Sequence, residues 1–170
     1  MALRGRTDAV DRVVAQWNAV RPDLDISPVA VIGRISRLSR LIDRRLAQNF
    51  AAHDLEAWMY DVLATLYRQG PPHRLMAGEL VGQTMVTTGA ITNRIDRLTE
   101  RGFVRRVGDP HDRRKVIVEL TPEGIQKVES TAESHLATEA AILSPLADAD
   151  LHRLADQLRT LLLALGDGTT

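Results

Sequence analysis

The sequence lacks cysteine altogether, so the chain can form no disulfide, sense no oxidant through a thiol and ligate no zinc through sulfur. Aromatic residues are scarce, at 4% of the chain, and the apolar residues are mostly Leu, Val, Ile and Ala, which favours helices. No run approaches the roughly 18 apolar residues that a membrane span needs. The first ten residues contain no apolar signal core, so we expect a cytoplasmic protein with no membrane partner.

The sequence also lacks the short motifs of common enzymes. There is no Ser nucleophile elbow, no Walker loop and no dinucleotide fingerprint. The five histidines are scattered, and no two of them stand three or four positions apart. We therefore predict no enzymatic activity, no catalytic residue, no metal site and no cofactor.

The net charge of zero hides an uneven distribution along the chain. Residues 92–115 include eight basic and four acidic residues, whereas the chain from residue 121 onward includes three basic and eight acidic ones. Because the local field and not the average charge attracts a phosphate backbone, this asymmetry favours a nucleic-acid surface in the central segment.

Apolar periodicity predicts a mainly α fold with a small β-hairpin. Spacings of three and four residues indicate amphipathic helices, and Pro or Gly at their ends marks the boundaries. The predicted helices cover residues 8–19, 27–51, 55–68 (capped by Asp54), 75–81, 87–101, 122–143 and a last segment from 148. Alternating residues predict two strands, 103–107 and 115–120. The first, second and last two helices carry more apolar surface than a monomer needs, which predicts a homodimer.

The helix predicted from residue 87 has two distinct faces. Ile91, Ile95 and Leu98 share one face and should point into the core. The small and polar residues of the opposite face could contact base edges or phosphates in a major groove. Our candidates for DNA contact on this helix are Thr87, Thr88, Thr92, Asn93 and Arg97. The alternative is an ordinary solvated helix surface.

The loop between the two predicted strands contains Asp112, Arg113 and Arg114. Residues two apart on an extended strand project to the same side, so Asp112 could hold the guanidinium of Arg114 and direct it outward. A directed arginine at a loop tip suits a narrow minor groove. These three residues are therefore further candidates for DNA contact, with a solvated surface ion pair as the alternative.

The helix, turn, helix and hairpin together resemble the MarR family of winged helix-turn-helix transcription regulators. The resemblance depends on Leu80, the run TTGAITNRIDRLTERGFVRR, Asp109-Pro110, Asp112-Arg113-Arg114 and the segment 120–124. It implies a single MarR-like domain over residues 1–170, with dimerisation helices in 8–53 and 121–170 and the DNA-binding region in 54–120. It also implies a homodimer on a palindromic operator of double-stranded DNA, usually as a repressor.

A second resemblance is to the urate-responsive (UrtR) branch of that family. This branch is marked by an added N-terminal helix with a Trp, an Asp in the third helix, an Arg in the recognition helix and another Arg before the wing. The matching residues are Trp17, Asp61, Arg94 and Arg106. The resemblance implies that they bind a small anionic effector, and that Arg94 and Arg106 turn inward towards Asp61 and Trp17.

The effector itself is left open by the sequence. Members that resemble this branch include sensors of urate and related purines, and sensors of citrate or aconitate-type carboxylates. Trp17 would stack well on a planar purine, so we favour urate, although the segment 56–61, with two aromatic residues before its Asp, could line either pocket. The structural alternatives are core packing for Trp17 and a plain salt bridge for Asp61. Two further alternatives are a metal-responsive regulator and a winged-helix module that responds to no effector.

Overall fold

A computed structural model describes residues 5–84, 88–108 and 116–168, which form seven helices and three strands. In chain order these are α1 (Ala9–Val20), α2 (Ser27–Ala52), α3 (Ala57–Tyr67), β1 (Arg74–Met76), α4 (Ala77–Thr84), α5 (Thr88–Glu100), β2 (Val104–Gly108), β3 (Val116–Leu120), α6 (Pro122–Leu143) and α7 (Asp148–Ala164). The mainly helical fold with a small sheet is confirmed. Of the helices described, none is long and apolar enough to cross a membrane.

The chain divides into two compact units, with the boundary between Arg45 and Leu46 inside α2. In the first unit, Asp8 caps α1: its side chain accepts hydrogen bonds from the backbone N–H groups of Val10 (2.7 Å) and Asp11 (3.0 Å). Arg34 of α2 pairs with both Asp8 (2.9 Å) and Asp11 (2.6 Å). Val10 is buried and packs against Gly33, where a Cβ would lie 3.1 Å from Cγ1 of Val10, closer than an ordinary van der Waals contact.

The second unit is built around a core of aliphatic side chains from α3, α4, α5 and the sheet. Val62, Leu63, Leu66, Leu80, Leu98 and Val118 have no exposed surface. The strands are antiparallel in the order β1-β3-β2, with Leu75 opposite Val118 and Val104 opposite Leu120. The core therefore holds α5 against one side of the unit and leaves its other side accessible.

Two local predictions are wrong. Residues 74–76 form strand β1 and not the start of a helix, because they pair with β3, which lies far away in the sequence; α4 begins only at Ala77. Asp54 does not cap α3, which begins at Ala57 with Glu56 in the N-cap position. Asp54 adopts a positive φ of 54° and instead forms an ion pair with Arg101.

Large apolar side chains remain exposed on α2, α6 and α7 in the single chain. They include Ile32, Leu38, Leu136, Leu161 and Leu162, each with at least 45% of its surface accessible. No residue of α7 is buried. A monomer rarely presents this much apolar surface, so these helices have the surface that a partner subunit would cover.

Candidate functional site

Helix α5 has the two faces that the sequence predicted. Ile91, Ile95 and Leu98 are at most 2% exposed and belong to the core. Thr92, Asn93 and Arg97 lie on the exposed side. The helix is thus anchored by its aliphatic face, and its polar side chains are accessible for contact with base edges in a DNA groove.

Several predicted DNA contacts lie outside the described residues. Thr87, Asp112, Arg113 and Arg114 are among them, so their predicted roles stay predictions. Thr88 is the first residue of α5, but its side chain is not described. Gly102 follows α5 with a positive φ of 73°, which a glycine adopts without strain, and the chain turns there into β2.

Arg106 was expected to turn inward, and it does not. Its Nη1 lies 2.6 Å from Oδ1 of Asp96, and both side chains are exposed, at 40% and 47%. The reason is geometric: β2 runs beside α5 and brings Arg106 within reach of the carboxylate of Asp96. An ion pair this exposed stabilises the fold by at most about 1 kcal/mol. Its consequence is that the hairpin strand is tied directly to α5.

The positive charge of Arg94 acts on the carboxyl of Asp61, and the predicted role of this pair in effector binding stays a prediction. Packing around the carboxyl raises the pKa of Asp61 above its ordinary value, while the positive charges of Arg94 and Arg68 oppose that rise. Arg94 is half-buried, whereas Asp61 is exposed on α3, so the neighbouring side chains desolvate its carboxyl only in part. A carboxylate held where ionisation is unfavourable is able to respond to a second negative charge.

Trp58 was not among the candidate effector contacts, although the segment that contains it was expected to be able to line the pocket. The guanidinium carbons of Arg94 and Arg97 lie 5.5 Å and 4.9 Å from the centre of its ring, within the range of a cation–π contact. The sequence signal was its position three residues before Asp61, which places both on one side of α3. Its contact with α5 could not be read from that spacing.

Glu56 connects Trp58 to α5. Its Oε2 accepts a hydrogen bond from the indole Nε1 of Trp58 at 2.8 Å, and its Oε1 accepts one from Nη2 of Arg97 at 2.7 Å. These bonds, the one from Trp58 above all, hold the pKa of Glu56 below its ordinary value. Glu56 stands in the N-cap position of α3, but its side chain makes no capping bond and instead joins Trp58 to Arg97.

A cavity of about 460 Å³ lies beside this group, between the end of α2, the start of α3 and the end of α5. Arg97 and Arg101 line it together with the carboxylates of Asp54, Glu56 and Glu100. Arg97 pairs with Glu56 and Arg101 with Asp54, so the positive charges in this cavity are already compensated. An anion entering here would have to displace one of those carboxylates.

Trp17 lies on α1, in the first unit, and 46% of its surface is exposed in the single chain. It is therefore not part of the hydrophobic core of the chain, which was its structural alternative. Its role as an effector contact stays a prediction. Across residues 5–84, 88–108 and 116–168, no cluster of three or more His, Asp or Glu side chains is arranged to hold a metal ion.

Known proteins with similar sequences are transcription regulators. The MarR family model matches residues 58–116. The chain is 41% identical over 139 residues to the HTH-type transcriptional regulator PecS of Dickeya dadantii (strain 3937), covering 82% of this chain and 84% of that one. These homologues are regulators and not enzymes, as the sequence predicted.

Solved structures share the fold. AbsC, a MarR family transcriptional regulator from Streptomyces coelicolor, superposes with a TM-score of 0.78 at 23% identity, covering 85% of this chain and 98% of that chain. A mutant MarR from E. coli complexed with operator DNA gives a TM-score of 0.70 at 24% identity, covering 86% and 97%. At this level of identity the likeness shows the architecture.

Proposed function

The chain belongs to the MarR family of DNA-binding transcription regulators, and we propose that it is a repressor that binds a palindromic operator as a homodimer. The observation that carries this proposal is the division of α5 into a buried aliphatic face and an accessible face with Thr92, Asn93 and Arg97. The basic segment 92–115 supplies the positive field that attracts the phosphate backbone.

The proposed homodimer is supported by the exposed apolar surfaces of α2, α6 and α7. A second copy of the chain would remove these side chains from water, at a gain of roughly 25 cal/mol for each Å² covered. A twofold dimer would present two copies of α5 about one DNA turn apart, which is the reason for a palindromic operator. We propose dimerisation helices in residues 8–53 and 121–170 and a DNA-binding region in 54–120.

DNA recognition is tested with one variant for each kind of contact. Arg114→Ala should weaken operator affinity by at least about fivefold and reduce the slope of log K against log salt by about one, because one phosphate or groove charge is lost. Asn93→Ala should weaken affinity for the operator and leave the salt slope unchanged, because a base contact releases no counterion. Fluorescence anisotropy of labelled operator measures both.

The control is Arg159→Ala, which removes the same charge from α7, where the accessible side chain pairs only with Asp156 among the contacts described. Once size-exclusion chromatography has shown that the variant is still a dimer, because α7 belongs to the proposed dimer surface, it should leave both affinity and salt slope unchanged. If Arg114→Ala binds the operator as tightly as the unmodified protein, the hairpin has no part in DNA binding. If Arg114→Ala, Asn93→Ala and the control Arg159→Ala all lose the same operator affinity, these positions do not distinguish base contacts from phosphate contacts.

We further propose that a small anion releases the repressor from DNA, with urate or a related purine as our first candidate and a citrate or aconitate-type carboxylate as the alternative. The proposed contacts are Trp17, Asp61, Arg94 and Arg106. The interaction between Asp61 and Arg94 supports this, because an anion attracted to Arg94 would repel the nearby carboxylate. Since Arg94 belongs to α5, its displacement gives the ligand different affinities for the DNA-bound and free states.

The effector proposal is tested by the operator Kd in the presence of urate, citrate or neither. The favoured ligand should raise the Kd at least about fivefold, the lower end of ordinary coupling energies. Arg94→Ala should abolish the increase, whereas Arg68→Ala, which also removes a positive charge that acts on Asp61, should retain it. A full response in Arg94→Ala would exclude Arg94 from sensing.

An effector-independent DNA-binding protein is the second candidate. It is favoured by the ion pairs of Arg97 and Arg101, whose charges are compensated by carboxylates in the cavity beside Trp58. Such a protein would show the same operator Kd with every anion tested.

A further inference from the structure

The indole of Trp58 lies between the predicted effector residues and a predicted DNA contact. On α3 it precedes Asp61 by three residues, so the two side chains share one side of that helix. On α5 it meets two guanidinium groups, that of Arg94 at 5.5 Å and that of Arg97 at 4.9 Å. Arg94 is the residue that interacts with Asp61, and Arg97 is a candidate for DNA contact.

The two arginines interact with the same ring in different ways. Arg97 is held by the ring and also by Glu56, which accepts a hydrogen bond from the indole at the same time. Arg94 contacts the ring and is attracted to Asp61. A change at Arg94 therefore alters a ring whose position also determines where Glu56 and Arg97 lie.

Cation–π attraction depends on the distance between the cation and the ring face, so it weakens when the cation is withdrawn. An anion bound to Arg94 would compete with Trp58 for that guanidinium. The contacts of the indole with Glu56 and Arg97 would then determine its position. This shift needs no change in the buried aliphatic face of α5, which stays anchored by Ile91 and Ile95.

We infer that Trp58 is a positioning residue that couples Arg94 to Arg97, and that it transmits effector binding to the DNA-facing side of α5. The inference rests on the proposed effector function and adds the residue that links its two halves. It assigns Trp58 no contact with the effector or with DNA. The inference therefore predicts that removal of the ring uncouples effector binding from DNA binding and leaves both binding activities present.

The first experiment needs neither DNA nor effector. The side-chain Nε–H resonance of Arg97 is recorded by 15N NMR in the full-length protein. Arg94→Ala should shift that resonance when Trp58 is present and leave it unmoved in a Trp58→Leu background. Arg105→Ala, the control, should leave it unmoved in both, because Arg105 lies on β2 and pairs with Glu119 at 2.6 Å. A shift of equal size for Arg94→Ala in both backgrounds would overturn the inference.

The second experiment measures operator Kd with and without urate, and with and without citrate. Trp58→Leu should lower the effector-induced change in Kd by about fivefold, whereas Trp58→Phe, which keeps a ring, should retain most of it. Circular dichroism confirms that both variants fold. If the effector raises the operator Kd of Trp58→Leu by the same factor as that of the unmodified protein, the inference is wrong.

The two failures are distinguishable. If the unmodified protein shows no effector response, the effector proposal fails, and the Arg97 resonance alone decides whether Trp58 couples the arginines. A coupled resonance would then support the coupling of Arg94 to Arg97 through Trp58 and overturn its role in effector transmission, and an uncoupled one would overturn both.

Discussion

Gly124 lies at the first turn of α6, where the helix passes against the start of the hairpin. A Cβ built on Gly124 would lie 2.0 Å from the carbonyl oxygen of Phe103 and 3.3 Å from Cδ2 of Leu120. The oxygen belongs to backbone that also accepts a hydrogen bond from the N–H of Thr121 at 3.0 Å. It cannot move away without weakening that bond. Gly124→Ala should therefore separate α6 from the start of β2.

The size of the effect follows from two opposing contributions. Overpacking against backbone belongs at the upper end of its usual range, about 3 kcal/mol. Alanine in place of glycine within a helix returns about 1 kcal/mol. The net loss in the free energy of unfolding is thus about 2 kcal/mol, which lowers the Tm by roughly 4–8 °C in a chain of this length.

The assay is urea denaturation followed by circular dichroism, at one fixed protein concentration because dimerisation would add to stability. Gly82→Ala is the matched control: Gly82 lies within α4, and a Cβ there would meet nothing within 4 Å. That variant should be as stable as the unmodified protein or up to about 1 kcal/mol more stable. If Gly124→Ala shows the same behaviour as Gly82→Ala, the contact with Phe103 is not a constraint on the fold.

Two further predictions concern the faces of α5 and the carboxyl of α3. Ile95→Ala should lower the free energy of unfolding by about 3 kcal/mol in the same urea assay, because Ile95 is 2% exposed within the core. Asn93→Ala, on the accessible face of α5, should change that free energy by less than about 0.5 kcal/mol. A loss below about 1 kcal/mol for Ile95→Ala would contradict the assigned core face. Packing around its carboxyl raises the pKa of Asp61 above the ordinary value of 3.8, so the folded state binds that proton more tightly than the unfolded chain does. The stability that the bound proton contributes is complete below pH 3.8 and declines as the pH rises through the folded pKa. Asp61→Asn removes this decline, so its stability relative to the unmodified protein should increase as the pH rises from below 3.8 towards neutrality; a relative decrease would mean that attraction to Arg94 outweighs burial.

Local pattern was sufficient wherever a residue's environment is set by its near neighbours in the chain. The spacing of Ile91, Ile95 and Leu98 predicted the buried face of α5, since a helix returns to the same side every three or four residues. Thr121 caps α6 directly before Pro122, and its Oγ1 accepts a hydrogen bond from the N–H of Gly124 at 3.0 Å. The buried face of α5 and the cap of α6 both depend on residues within about one helical turn of each other.

Pairings between distant segments were not predictable from the sequence. Strand β1 has three residues, too few for alternation to mark it, and it exists because Leu75 lies opposite Val118 of β3. Arg106 was expected near Asp61, but β2 lies beside α5, and the exposed arginine pairs with Asp96. The first partner is set by strand pairing within the sheet, and the second by the packing of β2 beside α5.

Helix periodicity, strand alternation and the order of the elements are local properties, and they were enough to predict the class of the protein. The sequence also placed Asp61 and Arg94 in one proposed site. The surroundings of that pair depend on tertiary packing, which brings Trp58 of α3 against Arg94 and Arg97 of α5. The same packing lets Glu56 accept hydrogen bonds from both Trp58 and Arg97. The physical reason is that contacts between helices depend on how the core packs them together, which no spacing along one helix can specify.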